Sequence, residues 1–193
     1  AERIEALQTH DALTGLPNRA RFIERLEAAA HALGRDSGGL AVLVIDLDRF
    51  RQVNDSLGHE VGDQVLRDVA QRIAECRREH DLLARIGGDQ FALLLQPAHA
   101  QAAETMARRV LHAVAQPING AGAAFTITCS IGIALAPAHG RGADDLIRHA
   151  EAAMRQVKQS GRASLRLHQV RAEGNRGEHM RLRVQRDGAW VEC

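Results

Sequence analysis

Asp46 and Asp89 are the residues of this 193-residue chain whose surroundings point most directly to chemistry. The apolar run Leu40–Leu47 (LAVLVIDL) is broken at Asp46, and Leu82–Leu95 (LLARIGGDQFALLL) is two apolar runs interrupted by Gly87, Gly88, Asp89 and Gln90. A glycine pair between strand-like runs predicts a β-hairpin, because glycine takes φ > 0 without steric cost. With no side chain at two tip positions, a bulky ligand can lie on the backbone with its charge or metal next to Asp89. Two carboxylates at a sheet end suit a hard divalent cation that holds a phosphate. Mg²⁺ takes one or two protein carboxylates and completes its octahedron with water and phosphate oxygens. Nucleotidyl transfer needs such a site, where metal activates a hydroxyl and stabilises the leaving pyrophosphate. Backbone N–H groups after Asp46, from Asp48 to Arg51, can donate to phosphates. Lys158 and Arg162 lie four apart at a helix end, where they either reach phosphate oxygens or simply complement the helix dipole.

The elements that must position these residues follow from periodicity. Asn18 is placed to cap a helix over about 18–33, with Phe22, Leu26, Ala30 and Leu33 on one stripe. Leu40–Leu47 reads as a strand buried on both faces. A loop over Arg49–Gly58 leads into a long helix, His59–Arg78, with Val61, Val65, Leu66, Val69 and Ile73 facing the core. The hairpin is followed by a helix over 98–115. Phe125–Leu135 alternates apolar and small or polar residues like one clean strand, and a helix over 143–159 ends at Gly161 before a short strand at 164–168. From Leu40 to Leu135 the order is β-α-β-β-α-β. That order predicts a ferredoxin-like split-βαβ core of the α/β (α+β) class, with a mixed or antiparallel sheet and helices on one face. In this topology the first strand neighbours the hairpin, which brings Asp46 close to Asp89. Residues 1–12 read as the end of a connector helix, 13–168 as the domain, and 169–193 as a linker and small β-hairpin tail.

Composition narrows the class of function. Lys and Arg number 25 against 24 Asp and Glu, so no basic surface argues for nucleic acid. Aromatics are 3% with no Tyr, which also disfavours a base-stacking platform. Three dispersed cysteines, Cys76, Cys129 and Cys193, suit a reducing compartment and lack zinc-site spacing. No apolar run reaches membrane-spanning length and no signal peptide is evident, so a cytoplasmic location is expected. Residue 1 is not Met, which suggests a piece of a longer protein.

Several segments taken together resemble one family in order and spacing. They are DALTGLPNRARF (11–22), VIDLDRFRQVNDSLGHEVGDQVL (44–66), RIGGDQF (85–91), CSIGIA (129–134) and AEAAMRQVKQSGRASL (150–165). This is the GGDEF domain family of diguanylate cyclases, which condense two GTP into cyclic di-GMP with Mg²⁺ or Mn²⁺. Their active form is a homodimer with one GTP per subunit. The resemblance implies that Asp46, Asp89 and the Leu47 carbonyl bind metal, and that Asn54 and Asp63 read guanine. It assigns GTP phosphates to Phe50, Arg51, Lys158 and Arg162, with Gly87 and Gly88 beneath the nucleotide. Arg78-Glu-His-Asp81 is an RxxD motif set off from Gly87 by the five residues Leu82 to Ile86. It resembles the family's inhibitory site for cyclic di-GMP, and arginine suits phosphate and guanine alike. Fused sensor or effector domains are implied as partners.

The chain departs from the family signature at Gln90, where Glu is usual. Gln keeps the shape but loses the charge, and the loss of one such contact costs on the order of 10²–10³ in rate. Arg51 stands for the usual Lys, Arg155 for Tyr and Ala163 for Asn. Three readings follow: a GTP- or cyclic di-GMP-binding module with impaired catalysis, an active cyclase that tolerates Gln90, or a structural module without nucleotide.

Overall fold

The computed structural model describes residues 9–33, 38–120, 122–169, 183–186 and 189–192. Of the expected connector over residues 1–12, residues 1–8 lie outside these. The elements in order are α1 (Arg19–His31), β1 (Leu40–Leu47), α2 (Phe50–Leu57), α3 (His59–Cys76), β2 (Leu82–Arg85) and β3 (Gln90–Leu95). They continue with α4 (Ala100–Val114), β4 (Ile118–Gly120), β5 (Ala123–Phe125), β6 (Cys129–Ala136), α5 (Ala143–Gln159), β7 (Leu165–Leu167), β8 (Arg183–Arg186) and β9 (Ala189–Glu192).

The central sheet runs β2-β3-β1-β6-β7, antiparallel except for the β6–β7 pair. This is the split-βαβ order expected from the sequence. The crossover helices α3 and α4 cover one face, where Val65, Val69, Ile73, Met106 and Val110 meet Leu43, Ile45, Leu93 and Ile131. The other face is also covered: Phe22 and Leu26 of α1 and Leu146, Ala150 and Met154 of α5 pack on Val42, Val44 and Ala92. Every residue of β1 is therefore buried, and a continuous apolar run is what a two-sided burial requires.

Two elements differ from the sequence expectation. Within the segment expected as a loop, Arg49–Gly58, Phe50–Leu57 form a helix. Phe50, Val53 and Leu57 follow helical spacing, and Gly58 at φ 87° separates α2 from α3. The strand expected over Phe125–Leu135 is split. β5 pairs with β4, and β6 starts only at Cys129. Thr126–Thr128 lie between the two strands, and the Thr128 carbonyl accepts from Asp48 N (2.8 Å) just past the end of β1. The small residues of β6 are also buried, so the alternation does not mark a wet face. A Cβ on Gly132 would lie 1.9 Å from the Ala150 carbonyl oxygen, so glycine there lets α5 seat on the sheet. In the tail, β8 pairs antiparallel with β9; residues 170–182 lie outside the described set.

Candidate functional site

The ladder between β1 and β3 places Asp46 directly opposite Gln90. The Asp46 carboxylate is buried at 7% exposure, and both its oxygens have donors. Gln90 Nε2 donates to Oδ2 at 2.8 Å, and the Lys158 ammonium, from the last turn of α5, bonds Oδ1. Asp89 joins them at the hairpin tip, where Leu47 N donates to its carbonyl (3.1 Å). Burial, reinforced by the negative charge of Asp46, raises the Asp89 pKa. A cation at this carboxylate pair would relieve that repulsion, so the donor set fits a divalent ion or its substitute.

The glycines of the tip act differently from the sequence expectation. Neither Gly87 nor Gly88 has positive φ. Their contribution is space: nothing lies within 4 Å of a Cβ built on Gly88, and at Gly87 only Gln90 comes near, at 3.4 Å. The tip is held from below by Arg85, a residue the sequence reading did not single out. Its guanidinium donates to the Gly88 carbonyl (2.7 and 3.2 Å) and to both oxygens of Asp11 (3.0 Å). Asp11 in turn accepts from Thr14 N and Oγ1. Burial works against the Asp11 charge, but the bonds from Thr14 and Arg85 outweigh it and lower its pKa. The DALTG segment is thus the buttress of the hairpin.

Asp48, two residues past Asp46, is a second buried carboxylate; the sequence reading used only its backbone N–H, as a phosphate donor, and that N–H donates to the Thr128 carbonyl (2.8 Å) instead. The carboxylate accepts from Thr128 Oγ1 (2.7 Å), Ser130 Oγ (2.7 Å) and Ala163 N (3.1 Å). It ties the β1–α2 turn to the turn after α5. Arg49, Arg162 and Ala163 in those turns all have left-handed backbones. Arg162 is exposed and lines a cleft of about 490 Å³ with Asp48, Arg49, Val53 and Phe125. The structure therefore brings Lys158 to Asp46 and sets Arg162 on a separate wall. The signal for Asp48 was available as an acidic residue just past a buried strand, facing Thr and Ser of another.

Phe50 is buried in the core, so it offers a ligand only its backbone; Arg51 is exposed and pairs loosely with Asp55 (3.7 Å). The N-terminus of α2 has no side-chain cap bond, and Gln52 N donates to the Arg49 carbonyl (2.9 Å), so Phe50 N and Arg51 N are the amides it can offer a ligand. Asn54 Oδ1 is buried without a hydrogen-bond partner, the one such side-chain atom among the described residues. It fits against Gly62, where a Cβ would lie 1.8 Å away. Asp63, the next residue, is exposed at the start of α3. In the RxxD segment, Asp81 accepts from Arg78 N (2.8 Å), not from the Arg78 side chain, which is exposed. Beside it, Cys76, Thr105, Arg108, Arg109 and His112 line a cleft of about 510 Å³, and those two arginines were absent from the sequence reading.

Open glycines, paired carboxylates and a lysine at one end of a split-βαβ sheet define a nucleotidyl-cyclase type of palm. The sequence profile of the family described as diguanylate cyclase, GGDEF domain, matches residues 8–164, and the chain belongs to that family. It is 44% identical over 160 residues to the diguanylate cyclase TpbB of Pseudomonas aeruginosa, covering 82% of this chain and 37% of that protein. It is 40% identical over 162 residues to the cyclic di-GMP phosphodiesterase PdeR of Escherichia coli, covering 83% of this chain and 24% of the relative. The chain thus spans well under half of either relative. The solved GGDEF domain of TpbB superposes with a TM-score of 0.79 at 43% identity, covering 83% of this chain and 94% of that one. A coiled-coil and GGDEF structure of DgcB from Caulobacter crescentus, in complex with c-di-GMP, gives 0.79 at 28% identity, covering 86% and 88%. Among the described residues no helix is long and apolar enough to cross a membrane.

Proposed function

We propose that this GGDEF domain binds GTP at the Asp46–Asp89 end of the sheet and cyclic di-GMP at Arg78–Asp81, and that Gln90 impairs its cyclase chemistry. The observation that carries the reading is the Gln90–Asp46 hydrogen bond. An amide donates to the carboxylate that the family uses for metal, where Glu would add a ligand. GTP lies over the open faces of Gly87 and Gly88, with phosphates toward Lys158, Arg51, Arg162 and the α2 N-terminus. Asn54 and Asp63 meet the guanine edge, and the unpartnered Oδ1 of Asn54 suits a guanine N–H. Mg²⁺ or Mn²⁺ accompanies the nucleotide at Asp46, Asp89 and the Leu47 carbonyl, where it supplies phosphate charge neutralisation and hydroxyl activation. The chain's own groups bind, orient and exclude: Lys158 holds Asp46 in place, and Arg85 fixes the tip. Cyclic di-GMP, a dianion with two planar guanines, is gripped by Arg78, with Arg108 and Arg109 available from the adjoining cleft. Turnover requires a second copy of the domain facing the first, and the longer relatives suggest fused domains that read the bound state. The domain works in the cytoplasm, where GTP is found.

The test is GTP turnover with Mg²⁺ and Mn²⁺ at high protein concentration, wild type beside Gln90→Glu, with nucleotide and cyclic di-GMP binding measured in parallel. Binding by wild type with cyclic di-GMP formed only by Gln90→Glu, a gain of about 10²–10³, supports the reading. Rapid cyclic di-GMP formation by wild type replaces impairment with an active cyclase. Absence of any nucleotide binding returns the domain to a structural role.

A further inference from the structure

Asp48 joins two turns, and each turn carries an arginine. The carboxylate accepts from Ala163 N in the turn after α5, while the hydroxyls of Thr128 and Ser130 fix its two oxygens. Arg49 directly follows Asp48, and Arg162 directly precedes Ala163. Both arginines hold left-handed backbones, at φ 56° and 68°, which a residue with a Cβ adopts only at a cost. Both are exposed and line the same cleft of about 490 Å³. Among the described residues no hydrogen bond or ion pair engages either guanidinium, whereas Arg51 pairs with Asp55. The charged residues of the cleft are Arg49, Arg162 and Asp48, which sum to one positive charge. Two unpaired guanidiniums on one cleft fall in energy when an anion joins them, and a phosphate with several free oxygens accepts from both forks. Arg49 is also the N-cap residue of α2, so a phosphate chain held at the amides of Phe50 and Arg51 lies next to it.

We propose that the Arg49 side chain, set beside Arg162 by Asp48, grips the terminal phosphate of the nucleotide, and that this pair makes the site select a triphosphate over a diphosphate. The proposal rests on the GTP-binding reading above and leaves the divalent ion where that reading has it, at Asp46, Asp89 and the Leu47 carbonyl. Asp48 touches no nucleotide in this arrangement. It is a positioning residue, which acts by holding the Arg49 turn against the Arg162 turn.

The experiment measures, by calorimetry in millimolar Mg²⁺, the affinities of a non-hydrolysable GTP analogue, GDP and GMP. It compares wild type, Arg49→Gln, Arg162→Gln, the double variant, Asp48→Asn, and Asp48→Asn added to the double variant. Wild type is expected to bind the triphosphate about tenfold or more tighter than GDP. Arg49→Gln should shrink that ratio to about threefold or less, with GMP affinity kept within about twofold and melting unchanged. Asp48→Asn should shrink the ratio likewise, and adding it to the double variant should lower it no further, since Asp48 acts through the arginines. Thr128→Val, which removes one hydroxyl from Asp48, carries this arm if Asp48→Asn does not fold. An unchanged ratio in Arg49→Gln, or a loss shared equally by all three nucleotides, overturns the assignment of Arg49. A further fall in the ratio when Asp48→Asn joins the double variant overturns its positioning role. Equal wild-type affinities for the three nucleotides overturn the proposal while the GTP reading stands; binding of none of them removes both.

Discussion

Asp46 and Asp48 are two residues apart, equally buried, and do opposite work. Asp48 is bonded by two hydroxyls and a backbone N–H, all set by the fold. Asp46 is bonded by the ends of two long, rotatable side chains, Lys158 and Gln90. The difference teaches how to tell an anchor from a binding group. Burial is the same (6% and 7%), so what separates them is whether the partners are fixed or movable.

Asp48→Ala leaves two buried or half-buried hydroxyls and the Ala163 N–H unmet, and should cost about 3–5 kcal/mol in denaturant unfolding. Asp46→Ala should cost about 1 kcal/mol or less, since Lys158 can reach solvent, while nucleotide binding is lost. Equal destabilisation by the two would end the distinction.

The guanine pocket offers a second trial. Gly62→Ala puts a Cβ into Asn54 Oδ1, and should cost about 1–3 kcal/mol and weaken GTP binding, even though Gly62 itself touches no ligand. Retained affinity would remove Asn54 from the base-reading role.

The RxxD segment repeats the contrast within four residues. Asp81 is buried and caps the turn through Arg78 N, so Asp81→Ala should lower stability by about 1–2 kcal/mol. Arg78→Ala should leave stability within about 0.5 kcal/mol and abolish cyclic di-GMP binding. Calorimetry with cyclic di-GMP on both variants separates the anchor from the ligand group.

The smallest effect comes from a third polar cluster. His149 and His168 stack with ring centroids 4.2 Å apart, and His139 meets His168 edge-on at 5.1 Å. Burial, then the neighbouring histidines, lower the pKa of His139; burial, then His149 and Arg148, lower that of His168. A histidine depressed in the folded state is protonated more readily when unfolded. Its penalty is absent above the unfolded pKa, and stability falls as pH drops through about 6.5 toward the folded values. The melting temperature should therefore decline modestly between pH 7.5 and 5.5, and His168→Asn should flatten the slope. Stability comparisons of Asp46 and Asp48 variants belong above that window.

The sequence by itself determined the sheet and much of the site. β1 and the hairpin were legible because two-sided burial demands unbroken apolar runs, and strand order alone made β1 the neighbour of β3. The carboxylates were legible because charge at the end of such a run is expensive unless used. Helix α2 was missed because eight residues with three apolar positions do not rise above loop composition. The single long strand over Phe125–Leu135 was expected because alternation does not reveal that small residues face a helix.

Only the tertiary structure decided which polar atoms meet. Gly87 and Gly88 look like a turn requirement in sequence, yet their φ values are ordinary and their use is open space. Lys158 and Arg162 look like a pair, yet one bonds Asp46 and the other lines the cleft behind Asp48. Nothing local distinguishes Asp46 from Asp48, because their partners lie 44 to 115 residues away. Periodicity is a property of neighbouring residues and can be read along the chain. Hydrogen-bond partnership at a sheet end is set by register and by how helices seat, and those are settled only when the whole core has packed.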